Sequence, residues 1–374
     1  PTGTPPPTTP PAPTATITRT PTPEPTETPG PTKTPKPTKT PTLTRTPTPL
    51  PTSTNTPTPV PPTSTNTPVP PTSTNTPVPP AATNTPVPPT STNTPVGSVV
   101  IAAVGDIACS PSSTSYNSGL GTSTECHQKA TSDILGSLPL SAVITLGDNQ
   151  YESGALADYQ VSYQNSWGAY IGITKPAPGN HEYGTSGAAG YFDYFGAAAG
   201  TRGLGYYSYN LGNWHLISLN SNCALGGCEV GSTQYNWLVA DLAVNTAPCT
   251  LAYWHHPRFS SGSHGNNLFM GDMWTKLYDA NADLILSGHD HQYERFGPQD
   301  PNTNADLVRG IRQFVAGTGG KSLYNFNLIK PNSQVRDKSA YGVLKLTLHS
   351  NSYDWQFVPE AGKTFTDSGS QACH

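Results

Sequence analysis

Five short stretches hold the residue types able to do chemistry. They are Gly105-Asp106, Gly147-Asp148 with Tyr151 three residues on, Gly179-Asn180-His181-Glu182, His255-His256-Pro257, and Gly288-His289-Asp290-His291. Carboxylate and phenolate oxygens are hard anionic donors, while imidazole and amide groups are neutral ones; together they are metal-binding types. Each has an ordinary explanation when taken singly. An Asp after Gly usually makes a turn, and a lone His at a strand end is usually a surface or satisfied core residue. Five such blocks in order, each directly after an apolar run, are hard to reach by chance and point to a metal site.

The runs before these blocks read as strands: 98–104 (SVVIAAV), 142–146 (AVITL), the weaker 173–178 (ITKPAP), 250–254 (TLAYW) and 283–287 (DLILS). Open α/β sheets put their sites just past the carboxyl ends of such strands. Helical patterns lie around 125–137, 154–166, 232–243 and 268–281. Later runs at 206–210, 215–220, 311–317, 341–349 and 352–358 alternate or run apolar like strands of a second sheet. The expected fold class is α/β, a two-sheet β-sandwich flanked by helices.

The chain is two different polymers joined near residue 97. Of its 42 prolines 32 precede Gly97, and that stretch has no Phe, Trp or Tyr. It cannot bury enough apolar surface to offset chain entropy. The expected division is a Pro/Thr-rich stalk over 1–97, extended or disordered, and a folded domain over 98–374. The unit PTSTNTPVP occurs at 62–70 and 71–79, as PAATNTPVP at 80–88, and truncated at 89–96. Polyproline II at about 3.1 Å per residue would give the stalk a reach of about 300 Å. This composition is that of a spacer or an O-glycosylated stalk. The regular repeat also suits packing, which leaves a second reading: a structural or surface-display protein whose stalk assembles or anchors, with the domain as accessory.

The stalk holds five Lys or Arg against two Glu, so of the net −4 the domain carries −7. An acidic domain without a basic patch argues against nucleic-acid binding as its main task. No run of 18 apolar residues exists, so no transmembrane helix is expected. The chain begins at Pro1 without a signal peptide and reads as a mature or trimmed product. Six cysteines, few charges and the Pro/Thr stalk place it outside the cytosol, secreted or at the cell surface. Cys223 and Cys228 are spaced to close a small loop, and Cys109 and Cys126 bracket the segment after Asp106. That leaves Cys249 with Cys373. A zinc site is the competing reading, but no Cys-x-x-Cys spacing occurs, and three disulfides are expected.

With its five blocks in order over most of 98–360, the domain resembles the calcineurin-like metallophosphoesterases and is most similar to the purple acid phosphatase branch. Most metallophosphoesterases begin with Asp-x-His; here Ala108 stands where the second ligand would be. In the purple acid phosphatases the tyrosine of Gly-Asp-x-x-Tyr replaces it, and Tyr151 holds that position. The usual Gly of the first block is also replaced by Ala108, while Asp106 remains.

The resemblance implies an αββα fold and two metals bridged by Asp148. One metal would take Asp106, Tyr151 and His291; the other would take Asn180, His255 and His289. The charge count agrees: the first set suits Fe³⁺, and the second suits Zn²⁺, Fe²⁺ or Mn²⁺. The implied activity is hydrolysis of small phosphate esters, monoesters foremost, by hydroxide made at the metals. His181 is the expected proton donor. His264, nine residues after His255, is read either as a substrate-side histidine or as a loop surface residue. His256 is expected to orient its neighbours or lie at the rim. Arg295 either anchors its loop or contacts phosphate, the structural role being favoured. The Tyr- and Gly-rich loop 152–210 is expected to wall the pocket, its aromatics either stacking on a nucleotide base or, the favoured reading, forming a packed loop core, and 316–322 (AGTGGKS) reads as a Gly-rich turn.

Overall fold

The computed structural model describes Gly3 and residues 97–374. The expected stalk and its repeats lie, apart from Gly3 and Gly97, outside the described residues. Strands form in the order β1 (Val99–Val104), β2 (Ala142–Leu146), β3 (Thr174–Ala177), β4 (Tyr207–Leu211), β5 (Trp214–Ser218), β6 (Cys249–Tyr253) and β7 (Leu284–Ser287). They continue with β8 (Tyr293–Phe296), β9 (Arg312–Ala316), β10 (Ser333–Asp337), β11 (Gly342–Leu348), β12 (Ser352–Pro359) and β13 (Ser368–Ala372). Two mixed sheets result, ordered β13-β12-β11-β1-β2-β3 and β10-β8-β9-β7-β6-β5-β4.

The two sheets do not divide the chain into early and late strands, as the order of apolar runs suggested. β1, β2 and β3 are parallel neighbours, but β1 also pairs antiparallel with β11. β4, β5 and β9 instead share the second sheet with β6 and β7. Local alternation sets which face a residue occupies, whereas strand partners depend on contacts distant in sequence. β8, β10 and β13 were not expected, because YERF, SQVRD and SGSQA lack an apolar run.

Period two along the strands builds the layers. Ile101, Ala103, Ile144 and Leu146 of the first sheet share one core with Leu251, Tyr253, Leu284 and Leu286 of the second. The intervening Ala102, Val104 and Val143 face outward, under Ile134 and Leu135 of the helix Gln128–Leu135. Ala252 and Ile285 likewise meet Leu238 of the helix Thr233–Val244 and Trp274 of the helix Gly271–Asp279. Ser232 starts the first of these two helices, its hydroxyl accepting from Tyr235 N at 3.3 Å. Strands covered on both faces explain the unbroken apolar runs. In loop 152–210, Tyr159, Tyr163, Tyr191 and Phe195 are buried on the first sheet's outer face, so these aromatics form the favoured packed loop core and offer no face to a base.

Three disulfides join Cys109 to Cys126, Cys223 to Cys228 and Cys249 to Cys373. The last links the amino end of β6 in one sheet to the residue after β13 at the edge of the other. It spans 124 residues of sequence, so it removes much freedom from the unfolded chain. Replacing both Cys249 and Cys373 by Ser should cost about 2–4 kcal/mol in a urea titration. Metal content should stay unchanged, since this end of β6 lies opposite His255. An unaltered unfolding midpoint would contradict the assignment.

Candidate metal centre

β1, β2 and β3 of one sheet and β6 and β7 of the other end at the same place. The loops after β1 and β2 continue the parallel ladder: Asp106 N donates to Gly147 O, and Ile107 N to Asp148 O, each at 3.0 Å. Gly105 N donates to Ala316 O across the two sheets, and Gly288 N to His255 O. The blocks that follow the strands are thereby drawn together from both layers.

The Tyr151 hydroxyl is the meeting point of one set. It lies 2.9 Å from Asp106 Oδ1, 3.1 Å from Asp148 Oδ2 and 2.9 Å from His291 Nε2. His255 Nε2 is the meeting point of the other. It lies 3.1 Å from each of Asn180 Oδ1, His289 Nδ1 and Asp148 Oδ2. Asp148 is common to both. All seven expected donors are therefore brought together, in the two groups of the expected division.

Close packing fixes the donors. His255 Nδ1 donates to Leu146 O at 2.9 Å, which leaves Nε2 as the ring nitrogen turned to the cluster. His291 Nδ1 is held by Ser322 Oγ at 3.2 Å. Gly147 has φ +83°, and a Cβ there would stand 2.6 Å from His255 Nδ1. A Cβ on Gly179 would fall 2.1 Å from Asp148 Oδ1. Asp106, Asp148 and His289 themselves adopt positive φ (62°, 48° and 70°). Left-handed backbone at three non-glycine donors is strain held by the surrounding fold.

Two carboxylates organise the loops and were missed from the sequence. Glu182 is buried and accepts from Asp148 N (2.9 Å), Asn149 N (2.9 Å) and Gly179 N (2.6 Å), and from the Tyr159 hydroxyl (2.9 Å). It ties the loop after β2 to the loop after β3. Asp290 is buried between two donor histidines in sequence, and accepts from Ser260 Oγ and His264 N. Sequence types reveal the charge of these residues but not which backbone amides will surround them.

The electrostatics describe a site built for cations. Burial pushes the Tyr151 phenol well above its usual range, and Asp106 and Asp148 push it further. Burial alone would raise Asp148, but His255 and then His181 hold it well below the carboxylate range. His255 is raised to about 9: burial opposes this, and the charges of Asp148 and Asp106 prevail. His289 is pushed down by burial and by His255, and His256 falls to about 3 for the same reasons. Carboxylate and phenol oxygens crowd one side, and imidazole nitrogens with the Asn180 oxygen form the other. That donor set fits a harder, more highly charged ion beside Tyr151 and a softer divalent ion beside Asn180.

His181 lies at the cluster, its ring 4.3 Å from that of Tyr151 and its Nε2 4.0 Å from Asp148 Oδ2. His264 is also brought in, with its ring 4.2 Å from that of His289. His256 lies 4.4 Å from His289, ring to ring, and its Nδ1 is 2.8 Å from Ser221 Oγ. Arg295 is not at the site. It sits on β8 with Nε 2.6 Å from Asp367 Oδ2 and its guanidinium 5.0 Å from the Trp355 ring. Of the two roles read for Arg295, a contact at the metal ligands or phosphate is corrected and the favoured structural one agrees with this placement: Asp367 takes up its charge, and Trp355 holds it in the sandwich. In 316–322, Gly317 and Gly319 let the turn close on Asp106 and Gly105, as a Gly-rich turn should.

Two mixed sheets with such a donor set at their carboxyl ends define a metallophosphoesterase-like architecture. Residues 100–293 match the calcineurin-like phosphoesterase family, and the chain belongs to it. The family implies a dinuclear metal site. The chain is 31% identical over 145 residues to Purple acid phosphatase 22 of Arabidopsis thaliana, covering 37% of this chain and 32% of that protein. It is 27% identical over 254 residues to Acid phosphatase type 7 of Danio rerio, covering 56% of each. The chain thus spans about a third of the plant relative and about half of the fish one. The structure superposes on purple acid phosphatase PPD1 from yellow lupin seeds with a TM-score of 0.60 at 19% identity, over 74% of this chain and 54% of that one. It superposes on GAP50, the anchor in the inner membrane complex of Plasmodium, with a TM-score of 0.52 at 16% identity, over 74% and 90%. These two likenesses are of fold.

The raised His255 gives a signed pH prediction. A histidine whose folded value is raised contributes stability that is whole below its unfolded value near 6.5 and is lost as pH climbs through about 9. Protein stripped by a chelator should therefore melt at progressively lower temperature from pH 7 to pH 9. His255→Gln should flatten that slope. A melting temperature that rises over this range, or a slope unchanged in the variant, would contradict it.

Proposed function

We propose that this chain is an extracellular phosphoesterase with two metal ions, hydrolysing small phosphate esters, monoesters foremost. The observation that carries the reading is the convergence of Asp106, Asp148 and His291 on the Tyr151 hydroxyl. We assign Fe³⁺ to Asp106, Asp148, Tyr151 and His291. We assign Zn²⁺, Fe²⁺ or Mn²⁺ to Asp148, Asn180, His255 and His289. Bound there, the cations supply Lewis acidity that activates water and takes up charge on phosphoryl oxygens.

The chain's own residues do the rest. Asp148 would serve both ions, and Glu182 holds its amide and that of Asn149. His181 Nδ1 faces the carbonyl of Glu152, so Nε2 is the atom left to pass a proton to the leaving oxygen. His264, set against His289 and fixed at its backbone by Asp290, is assigned as a contact for the phosphoryl group, a role its proximity to His289 supports. His256 packs beside both His255 and His289 and orients them. Three disulfides support an oxidising, extracellular setting. Among the described residues no helix is long and apolar enough to cross a membrane.

The test is hydrolysis by the metal-loaded protein, with an aryl phosphate monoester and the matching diester as substrates. His181→Ala should lower kcat on the monoester by about 10²–10⁴-fold while both metals stay bound. Absence of hydrolysis of either ester with both sites filled would refute the reading.

A further inference from the structure

The carboxyl end of β5 opens onto a feature that the metal centre does not use. A cavity of about 600 Å³ lies between the Ser221–Leu225 turn and Phe269. Its lining is mainly apolar, with Ala224, Leu225 and Phe269 among its walls, and no Lys or Arg is among the lining residues. Leu225 and Phe269 are 62% and 47% exposed, and the neighbouring Leu268 is 72% exposed. Large apolar side chains left in water around a concave site are a ligand-binding feature, since folding gains nothing from exposing them.

This cavity touches the proposed centre. His256 forms part of its wall, with its ring 5.8 Å from Phe269 on one side and 4.4 Å from the donor His289 on the other. Asn222, also in the wall, donates from Nδ2 to Gly179 O at 3.2 Å, one residue before Asn180 and two before His181. The Cys223–Cys228 disulfide closes the turn that makes the opposite wall. His256 and Phe269 both line the space, and no Lys or Arg lines it to hold a second phosphate.

We propose that this cavity is a subsite for an uncharged aromatic group on the alcohol side of the phosphate ester. The inference rests on the phosphoesterase reading for where the phosphoryl group sits. The phosphoryl oxygens stay at the donor cluster, and the ring lies between Phe269 and the disulfide turn, beside His256. The aromatic contact gives preference for aryl over small alkyl esters, because the ring leaves water and meets a π face.

The test is calorimetric titration of the metal-loaded full chain with 2-naphthylmethylphosphonate and with methylphosphonate, neither of which it can hydrolyse. The naphthyl compound should bind about tenfold more tightly, on the scale of one buried ring face. Phe269→Ala and Leu225→Ser should each bring that ratio to within about twofold. Leu307→Ser, at an 84% exposed position outside this lining, should leave it intact. Both lining positions are partly in water, and thermal melts of the variants check their folding. Equal affinity for the two probes, binding of neither, or a ratio that survives in both lining variants overturns the subsite. Hydrolysis of an aryl phosphate, measured alongside, separates the two readings. Turnover without naphthyl preference removes the subsite alone, and preference without turnover removes the phosphoesterase alone.

Discussion

Two carboxylates and a phenol are pressed together where water scarcely reaches. Asp106, Asp148 and Tyr151 are at most 2% exposed, and their oxygens lie about one hydrogen bond apart. Burying an uncompensated carboxylate costs several kcal/mol even after relaxation. The fold answers with positive charge or with protons: the phenol is pushed up and His255 is pushed up. Both shifts are those of groups holding protons where cations belong. The donor cluster is thus a demand for charge, and the surrounding structure exists to keep that demand from being met by water.

Much of the scaffold serves this constraint. The two sheets meet at their carboxyl ends through Gly105 N and Ala316 O, so donors from different layers face one another. Glu182 satisfies the backbone amides of Asp148, Asn149 and Gly179, and so sets the spacing of Asp148 from Asn180 and His181. Asp290 does the same for the loop that carries His264. Close glycines at 147 and 179 remove the Cβ atoms that would force His255 and Asp148 apart. Beyond this tier, continuous apolar strands and their covering helices hold the loop ends in place.

The candidate donors stood out in the sequence because each sits in a block of unusual composition just after a buried strand. Their expected division into two groups came from the family resemblance, with which the charge count agreed. The strand partners were not legible: β1 pairs with both β2 and β11, and nothing in VVIAAV specifies GVLKLTL as a neighbour. β8, β10 and β13 were invisible because their polar sequences owe their strand form to the pairing itself. Glu182 and Asp290 were plain letters within recognised blocks, and only the folded loops show the amides that gather around them. Arg295 sits four residues after His291, which left a phosphate contact open beside the favoured structural role, and the chain carries it into the sandwich against Asp367. Sequence pattern reports local chemistry well and reports partners poorly.

The central claim is that the Tyr151 oxygen is a ligand and not merely a buried phenol. The visible absorption spectrum of the purified protein loaded with ferric iron, with its metal content measured, tests this most directly. A ferric ion held by the Tyr151 phenolate gives a charge-transfer band in the visible, and Tyr151→Phe at equal iron content loses it. A colourless iron-loaded protein, or a band that persists in Tyr151→Phe, would contradict the account.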